Sequence, residues 1–383
     1  MGLLLNSSCC KFMRLGWALS LIFLLQFAIV LLSPIVGYAV EDFSTDCLSY
    51  YGMENRIIVY CDSTISEIAA AIDRENILKV SDEEGTWLLN SSLSISKAAT
   101  LTINNNSDID WLKIISNPED RDPHVIEVYG KLEINGAKIS SWNPDTNYYA
   151  TQSYDGNVLR PYIMIREKAG ALNISNSEIA YLGYNGSQYN SSRTQGLNMY
   201  GGDGTMIKNS RIHDLWYGFY SDHVGYAVIE NNTIYNNLAY GIDPHSGSHH
   251  MVVRNNYIIN NTAGLVCSHL CHNILFENNQ IHDNNHIGVL LSRNVSNSVI
   301  RYNNISDTPV GITIARSHNN QIYNNTLTDI RNGLQILYSS SFNTFMNNSI
   351  TNSTNCAIRV SNNTEHNIIA LNVIRPNQIA ICH

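Results

Sequence analysis

Gly241-Ile242-Asp243-Pro244-His245 is followed 23 residues later by Gly264-Leu265-Val266-Cys267-Ser268, and 24 residues after that by Gly288-Val289-Leu290-Leu291-Ser292. The same beat runs on both sides, from Gly196 and Gly218 to Gly311, Gly333 and Ala357, with spacings of 22, 23, 23, 24, 23, 22 and 24. A second beat falls between, where an apolar pair meets Asn-Asn: Val228-Ile229, Val252-Val253, Ile274-Leu275 and Val299-Ile300. A fixed period of this length marks a solenoid. Within each period the apolar residues alternate with a step of two, and Asn or Gly breaks the runs, which makes the units short strands. Asn tolerates the left-handed conformation that corners need, and stacked Asn side chains satisfy one another between rungs. The expected fold is all-β: a right-handed parallel β-helix with 22–24 residues per coil.

Earlier coils are read at Trp87-Leu-Leu, Leu93-Ser-Ile, Leu101-Thr-Ile, Val125-Ile-Glu-Val, Leu132-Glu-Ile and Leu172-Asn-Ile. Ahead of them Thr64-x-x-Glu67 is a capping box opening a short helix through Ile65, Ile68 and Ile72. A solenoid needs its open end covered, so this helix is expected to be the N-terminal cap. Three segments follow: 1–40 as signal peptide or membrane anchor, 41–84 as leader and capping helix, and 85–383 as the catalytic β-helix.

Lys11 and Arg14 precede an uncharged run from Leu15 to Val36, followed by Gly37-Tyr38-Ala39. This is the layout of a secretory signal cleaved after Ala39, yet residues 15–36 are also long enough to span a bilayer uncleaved. In either case the remainder is exported, secreted or held at the cell surface or in the periplasm. Six cysteines lie beyond this segment; Cys47–Cys61 and Cys356–Cys382 are the expected pairs, each tying down one end. Asn-x-Ser/Thr triplets at Asn173, Asn231, Asn260, Asn304 and Asn347 are potential glycosylation acceptors, but they recur at one phase of the repeat, as corner residues do.

The chain of 383 residues has 23 Lys and Arg against 32 Asp and Glu, a net charge of −9. No basic stripe is available to displace phosphate counterions, so nucleic acid is excluded as a partner. An anionic substrate needs only a local positive cluster. Alternation places Phe219, Ile242, Leu265, Val289 and Ile312 inward and the residues between them outward, where successive coils stack them into columns. Tyr200, Tyr217, Tyr220, Asp222, His223, Tyr240, Asp243 and His245 then gather on three consecutive coils, with His269, Arg293 and Arg316 on the next three. An elongated groove with aromatic walls and a few charged groups suits a polysaccharide, one sugar of roughly 5 Å for each rung of ~4.8 Å.

At Tyr240-Gly-Ile-Asp243-Pro-His245 the sequence resembles the mannuronan C5-epimerases of alginate biosynthesis. The likeness extends to Trp87-Leu-Leu, Ser141-Trp142-Asn-Pro, Arg160-Pro-Tyr162, Tyr181-Leu-Gly-Tyr184 and Trp216-Tyr-Gly-Phe-Tyr220, and covers roughly 85–383. It implies a monomeric enzyme that inverts C5 of uronate residues within a finished anionic polymer, closest to the periplasmic branch. The calcium-dependent secreted branch carries acidic Gly-rich nonapeptides that are missing here. Where the family has an acidic residue after Asp-Pro-His, this chain has Ser246. Where the periplasmic branch has an Arg on the following coil, this chain has His269, with Arg293 one coil further.

Inversion at C5 needs a base on one face, an acid on the other and something to offset charge building on the carboxylate. His245 is the expected base, Asp243 orients it or binds a hydroxyl, and Tyr240 or water is the acid. His269 or Arg293 offsets the carboxylate, while Arg160 and Arg316 hold neighbouring sugars and Tyr200, Tyr217, Tyr220, Asp222 and His223 line the cleft. No cofactor and no metal ligand set is expected: in Cys267-x-His269-x-Cys271-His272 the cysteine points inward and the histidine outward, which splits the donors. A polyuronate lyase working by β-elimination and a non-catalytic carbohydrate-binding β-helix are the alternative readings.

Overall fold

A computed structural model describes residues 43–105, 109–116, 122–151, 158–189 and 193–382. The N-terminal signal or anchor lies outside them. Among the described residues no helix is long and apolar enough to cross a membrane.

The chain winds as a right-handed parallel β-helix, three short strands to a coil. One coil shows the logic. Val228–Glu230, Thr233–Tyr235 and Tyr240–His245 each pair in parallel with the strands one repeat on, Val252–Arg254, Tyr257–Ile259 and Ala263–Ser268. Each face therefore contributes a continuous apolar column to the interior. Ile229, Val253, Phe276 and Ile300 make one; Ile234, Ile258, Ile281 and Ile305 the second; Ile242, Leu265, Val289 and Ile312 the third. All are sealed from solvent, and their burial is the main stabilising term of the fold.

The glycine beat has a steric cause. A Cβ on Gly218 would lie 2.4 Å from the carbonyl oxygen of Gly241, and one on Gly241 would lie 2.7 Å from that of Gly264. Successive rungs pass too closely there for any side chain. The Asn-Asn beat divides its labour. The first residue of each pair takes the left-handed corner, with φ of 58°, 57° and 53° at Asn231, Asn255 and Asn278. The second turns inward and joins a ladder, which Asn303 and Asn372 also enter behind corners taken by Tyr302 and Leu371: Asn232, Asn256, Asn279, Asn303, Asn325, Asn348 and Asn372 bond side chain to side chain at 2.9–3.0 Å. Asn237, Asn261 and Asn284 form a second ladder.

The capping helix is Ile65–Ile72, its box closed by Thr64 and Glu67, with Ile65, Ile68 and Ile72 buried. The parallel ladder already begins at Arg56–Val59, which pairs with Ser92–Ile95. The 41–84 leader thus contains first-coil strands, because the repeat's glycine and asparagine signals are missing from a coil interrupted by a helix. Cys47–Cys61 and Cys356–Cys382 are disulfides as expected, and Cys267 and Cys271 are free and buried.

Candidate active site

The face built by Gly196–Met199, Tyr217–Asp222, Tyr240–His245, Ala263–Ser268, Ile287–Ser292 and Val310–Ala315 carries the chemistry. Register stacks Asn198, Tyr220 and Asp243 in one outward column, and Asp222, His245, Ser268, Ser292 and Ala315 in its neighbour. Beside them runs a corner column of left-handed residues: His223, Ser246, His269, Arg293 and Arg316, with φ between 44° and 62°. Such backbone is costly for non-glycine residues and persists where the surroundings fix it. Here the stacking fixes it, through bonds such as His269 N–H to Ser292 O and Arg293 N–H to Ala315 O.

These columns bring His245 and His269 to a ring separation of 5.7 Å and Tyr220 to 5.8 Å from His245. Tyr200 lies 6.0 Å from Tyr220, Tyr217 is 6.0 Å from Tyr220, and Tyr217 is 4.8 Å from Tyr240. Asp222 and His223 are hydrogen-bonded to each other. Further along the same face the wall becomes apolar, where Tyr240, Leu290 and Val310 pack on Ala263, Val266 and Ile287.

Asp243 is only 2% exposed, and its Oδ1 is buried with no hydrogen-bond partner. Burial pushes its carboxyl well above the usual carboxylate range, against the pull of Arg293, which favours the protonated form. His245 moves the other way. Burial lowers its pKa, the neighbouring His269 and Arg293 lower it further, and Asp222 opposes them, which leaves a neutral imidazole near pH 7. Burial raises Tyr217 and Tyr220, and Tyr200 to about 12, keeping these phenols protonated.

Two expectations need correction. Asp243 does not orient His245. That contact belongs to Ser246, whose Oγ is 2.7 Å from His245 Nδ1 and 3.4 Å from His269 Nδ1. Arg160 does not face the cleft. It is 1% exposed and gives its Nε, Nη1 and Nη2 donors to the carbonyls of Gly183, Asp214 and Leu182. It bolts successive coils together, and sequence alone cannot tell a guanidinium that binds carbonyls from one that binds carboxylates. Arg316 rests on the Tyr338 ring at 5.0 Å and lines a separate hollow of about 620 Å³ with Asn294 and His318. Three rungs separate it from His245, about 14 Å along the axis. Arg193, 4.2 Å over the Tyr200 ring, is a cleft cation that the repeat did not reveal because it sits in an inter-coil loop. Ser246 was visible only as a departure from the family pattern.

Fold and site together define a parallel β-helix protein with an aromatic, histidine-bearing cleft across its rungs. Residues 171–377, just over half of the chain, match the family described as "Periplasmic copper-binding protein (NosD)", and the chain belongs to that family. It is also 31% identical over 280 residues to the mannuronan C5-epimerase AlgG of Azotobacter vinelandii, covering 70% of this chain and 52% of that protein. With a mannuronan C5-epimerase of Pseudomonas aeruginosa it shares 27% over 184 residues, 46% of this chain and 32% of the other. The chain thus matches about a third to about a half of the length of these relatives. The crystal structure of the periplasmic alginate epimerase AlgG superposes with a TM-score of 0.72 at 20% identity, over 86% of this chain and 84% of that one, a likeness of fold.

Proposed function

We propose that the chain is a polyuronate C5-epimerase acting within a finished polymer, mannuronate to guluronate or a related pair, with residues 85–383 as its catalytic unit. The observation that carries this reading is the placement, on adjacent columns of one face, of the half-buried His245 imidazole, bonded through Nδ1 to Ser246, and the buried carboxyl of Asp243, whose Oδ1 has no partner; burial favours the neutral form of each. A C5 proton beside a carboxylate is removed only if a base is free to accept it and the developing charge is met by a donor. His245 takes the proton, held by Ser246 through Nδ1. Asp243, kept protonated by burial, donates a hydrogen bond to the substrate carboxylate, a task that only a neutral acid performs. Arg293 or His269 supplies the compensating positive charge, and Arg293 is the one whose field reaches both Asp243 and His245.

Tyr240 or water returns a proton to the opposite face of C5, and Tyr220 is the phenol that lies beside the His245 ring. Tyr200, Tyr217, Asp222 and His223 hold the flanking sugars. The protein works as an exported monomer, consistent with the disulfides at its two ends. The test is incubation of polymannuronate, polyguluronate and polygalacturonate with the protein in deuterated water, followed by NMR. Deuterium at C5 with chain length preserved supports the proposal. Unsaturated chain ends, or no exchange into any of the three polymers, count against it.

A further inference from the structure

Towards the C-terminal coils the cleft runs on into a hollow that the catalytic reading leaves unused. Register carries the His245 column through Ser268, Ser292 and Ala315, one residue per rung. These side chains are short, so nothing in that column rises between His245 and the coils beyond. Beside it the corner column passes from His269 to Arg293 and Arg316. Backbone bonds tie it together, from His269 N–H to Ser292 O, Arg293 N–H to Ala315 O and Arg316 N–H to Leu337 O. The hollow of about 620 Å³ opens at Arg316, and Asn294, His318, Tyr338 and Asn362 help to line it.

Charge sets this hollow apart. Among the described residues no carboxylate lines it, although the chain carries a net charge of −9. On the other faces the cations are matched: Arg254 and Arg301 reach Glu230 and Glu277 at 2.6 Å, and Lys138 reaches Glu178 at 2.7 Å. Among the described residues neither Arg293 nor Arg316 has a salt-bridge partner. Arg316 lies with its guanidinium over the Tyr338 ring, 5.0 Å from the centroid. Stacking by the face orders the side chain and leaves its edge, with the fork of N–H donors, for a planar anion. A carboxylate matches that fork with two parallel bonds. Asn294 and Asn362 offer both donors and acceptors, as hydroxyl groups require. An unpaired cation in a polar hollow, at the end of an unobstructed path from His245, suits an acidic sugar better than a neutral or apolar ligand.

We propose that the hollow is a distal subsite for a carboxylated pyranose unit, taken from the same polymer that occupies the cleft. At roughly 5 Å per sugar against ~4.8 Å per rung, the unit that reaches Arg316 is the third beyond the one at His245. Arg316 holds its carboxylate, and Asn294, His318 and Asn362 face its hydroxyls. The identity of the ligand rests on the polyuronate reading of the cleft; the position and sign of the subsite rest on register and on the unpaired arginine. The subsite makes the protein sensitive to chain length. A trimer seated at His245 ends one unit short of Arg316, whereas an octamer spans both. Two contacts on one chain raise affinity through effective concentration, with no change at the reacting rung.

The test uses the full chain with purified trimers and octamers of mannuronate, guluronate and galacturonate. Calorimetry gives the Kd of each, and deuterium exchange at C5 gives kcat/KM. The octamer of the preferred sugar is expected to bind more than about tenfold tighter than its trimer. Arg316→Ala is expected to weaken octamer binding about tenfold, the loss of one charge-assisted contact. The same change is expected to leave the Kd and kcat/KM of the trimer within about twofold. Arg316→Gln, which keeps the stem beside Tyr338, is expected to behave alike and covers a failure of the alanine variant to fold. Arg301→Ala, on another face and paired with Glu277, is expected to leave octamer affinity within about twofold. Equal losses for trimer and octamer, or an octamer Kd unmoved by both Arg316 variants, overturn the proposal. So does an octamer that binds no tighter than its trimer for all three sugars. A loss confined to the octamer, with no exchange at C5 in any substrate, supports the subsite and overturns the epimerase reading instead.

Discussion

The ladder from Asn232 to Asn372 and the site columns around Tyr220 and Asp243 are built by the same register, yet they obey opposite rules. Along the ladder every rung repeats one residue, and each amide is bonded to the next. Along the column Asn198, Tyr220 and Asp243 the residue changes at each rung, and the last of them buries a carboxyl oxygen with no partner. Repetition satisfies polar groups inside the molecule; variation leaves them available to a ligand. Departures from local consistency concentrate where a protein has work to do. Arg160 looks like a site residue by type but belongs with the ladder by environment, since its donors end on backbone carbonyls.

This contrast can be broken most sharply at Arg160. Arg160→Ala is expected to destabilise the fold by about 3 kcal/mol or more, because three carbonyls, two of them in buried bonds, lose their donor. Denaturant unfolding measures it, and the folded fraction is expected to keep its substrate KM. A raised KM with unchanged stability would return Arg160 to the cleft. Next in size is Asn279→Leu, in mid-ladder, expected to cost about 2–3 kcal/mol by the same measurement, with activity per folded molecule intact.

Asp243→Asn is expected to act in the opposite direction. A carboxyl whose pKa is raised by folding contributes stability below the ordinary carboxylate range and loses it as pH rises towards the raised value. The amide is therefore expected to stabilise by on the order of 1 kcal/mol at pH 7–8, with the gain vanishing near pH 4, while turnover collapses. Melting curves at the two pH values decide it; a destabilised variant at pH 8 would show that Asp243 is ionised and paired.

The smallest effects concern charge and pH. Arg293→Ala is expected to lower kcat/KM by about 100-fold, and His269→Ala by about tenfold. The reverse order would make His269 the principal counter-charge. In the free enzyme the acid limb of kcat/KM is expected below about pH 6.5, because burial lowers His245 and a base must be neutral to act. An acid limb above that value would assign the limb to another group.

The fold was legible because each coil repeats its steric demands. Glycine stands where rungs nearly touch, asparagine at corners and in ladders, and aliphatic residues every second position inward. The first coil was not, because a helix interrupts it and the demands are met once. At the site, columns and clustering could be read from spacing, and Tyr220, Asp243, His245 and His269 do converge. Environment could not be read. That Asp243 buries its Oδ1 without a partner, that Ser246 holds His245 and that Arg160 is bound to carbonyls are facts of packing.

The central claim is that His245 is the base at C5. The direct measurement is solvent deuterium incorporation at C5 of polymannuronate by the wild type and by His245→Ala, compared at equal folded concentration. A half-buried outward side chain holds little core, so the variant is expected to melt within about 2 °C of the wild type. Its exchange is expected to fall by more than about a thousandfold. Exchange retained at most of the wild-type rate would contradict the account, reducing His245 to a sugar contact.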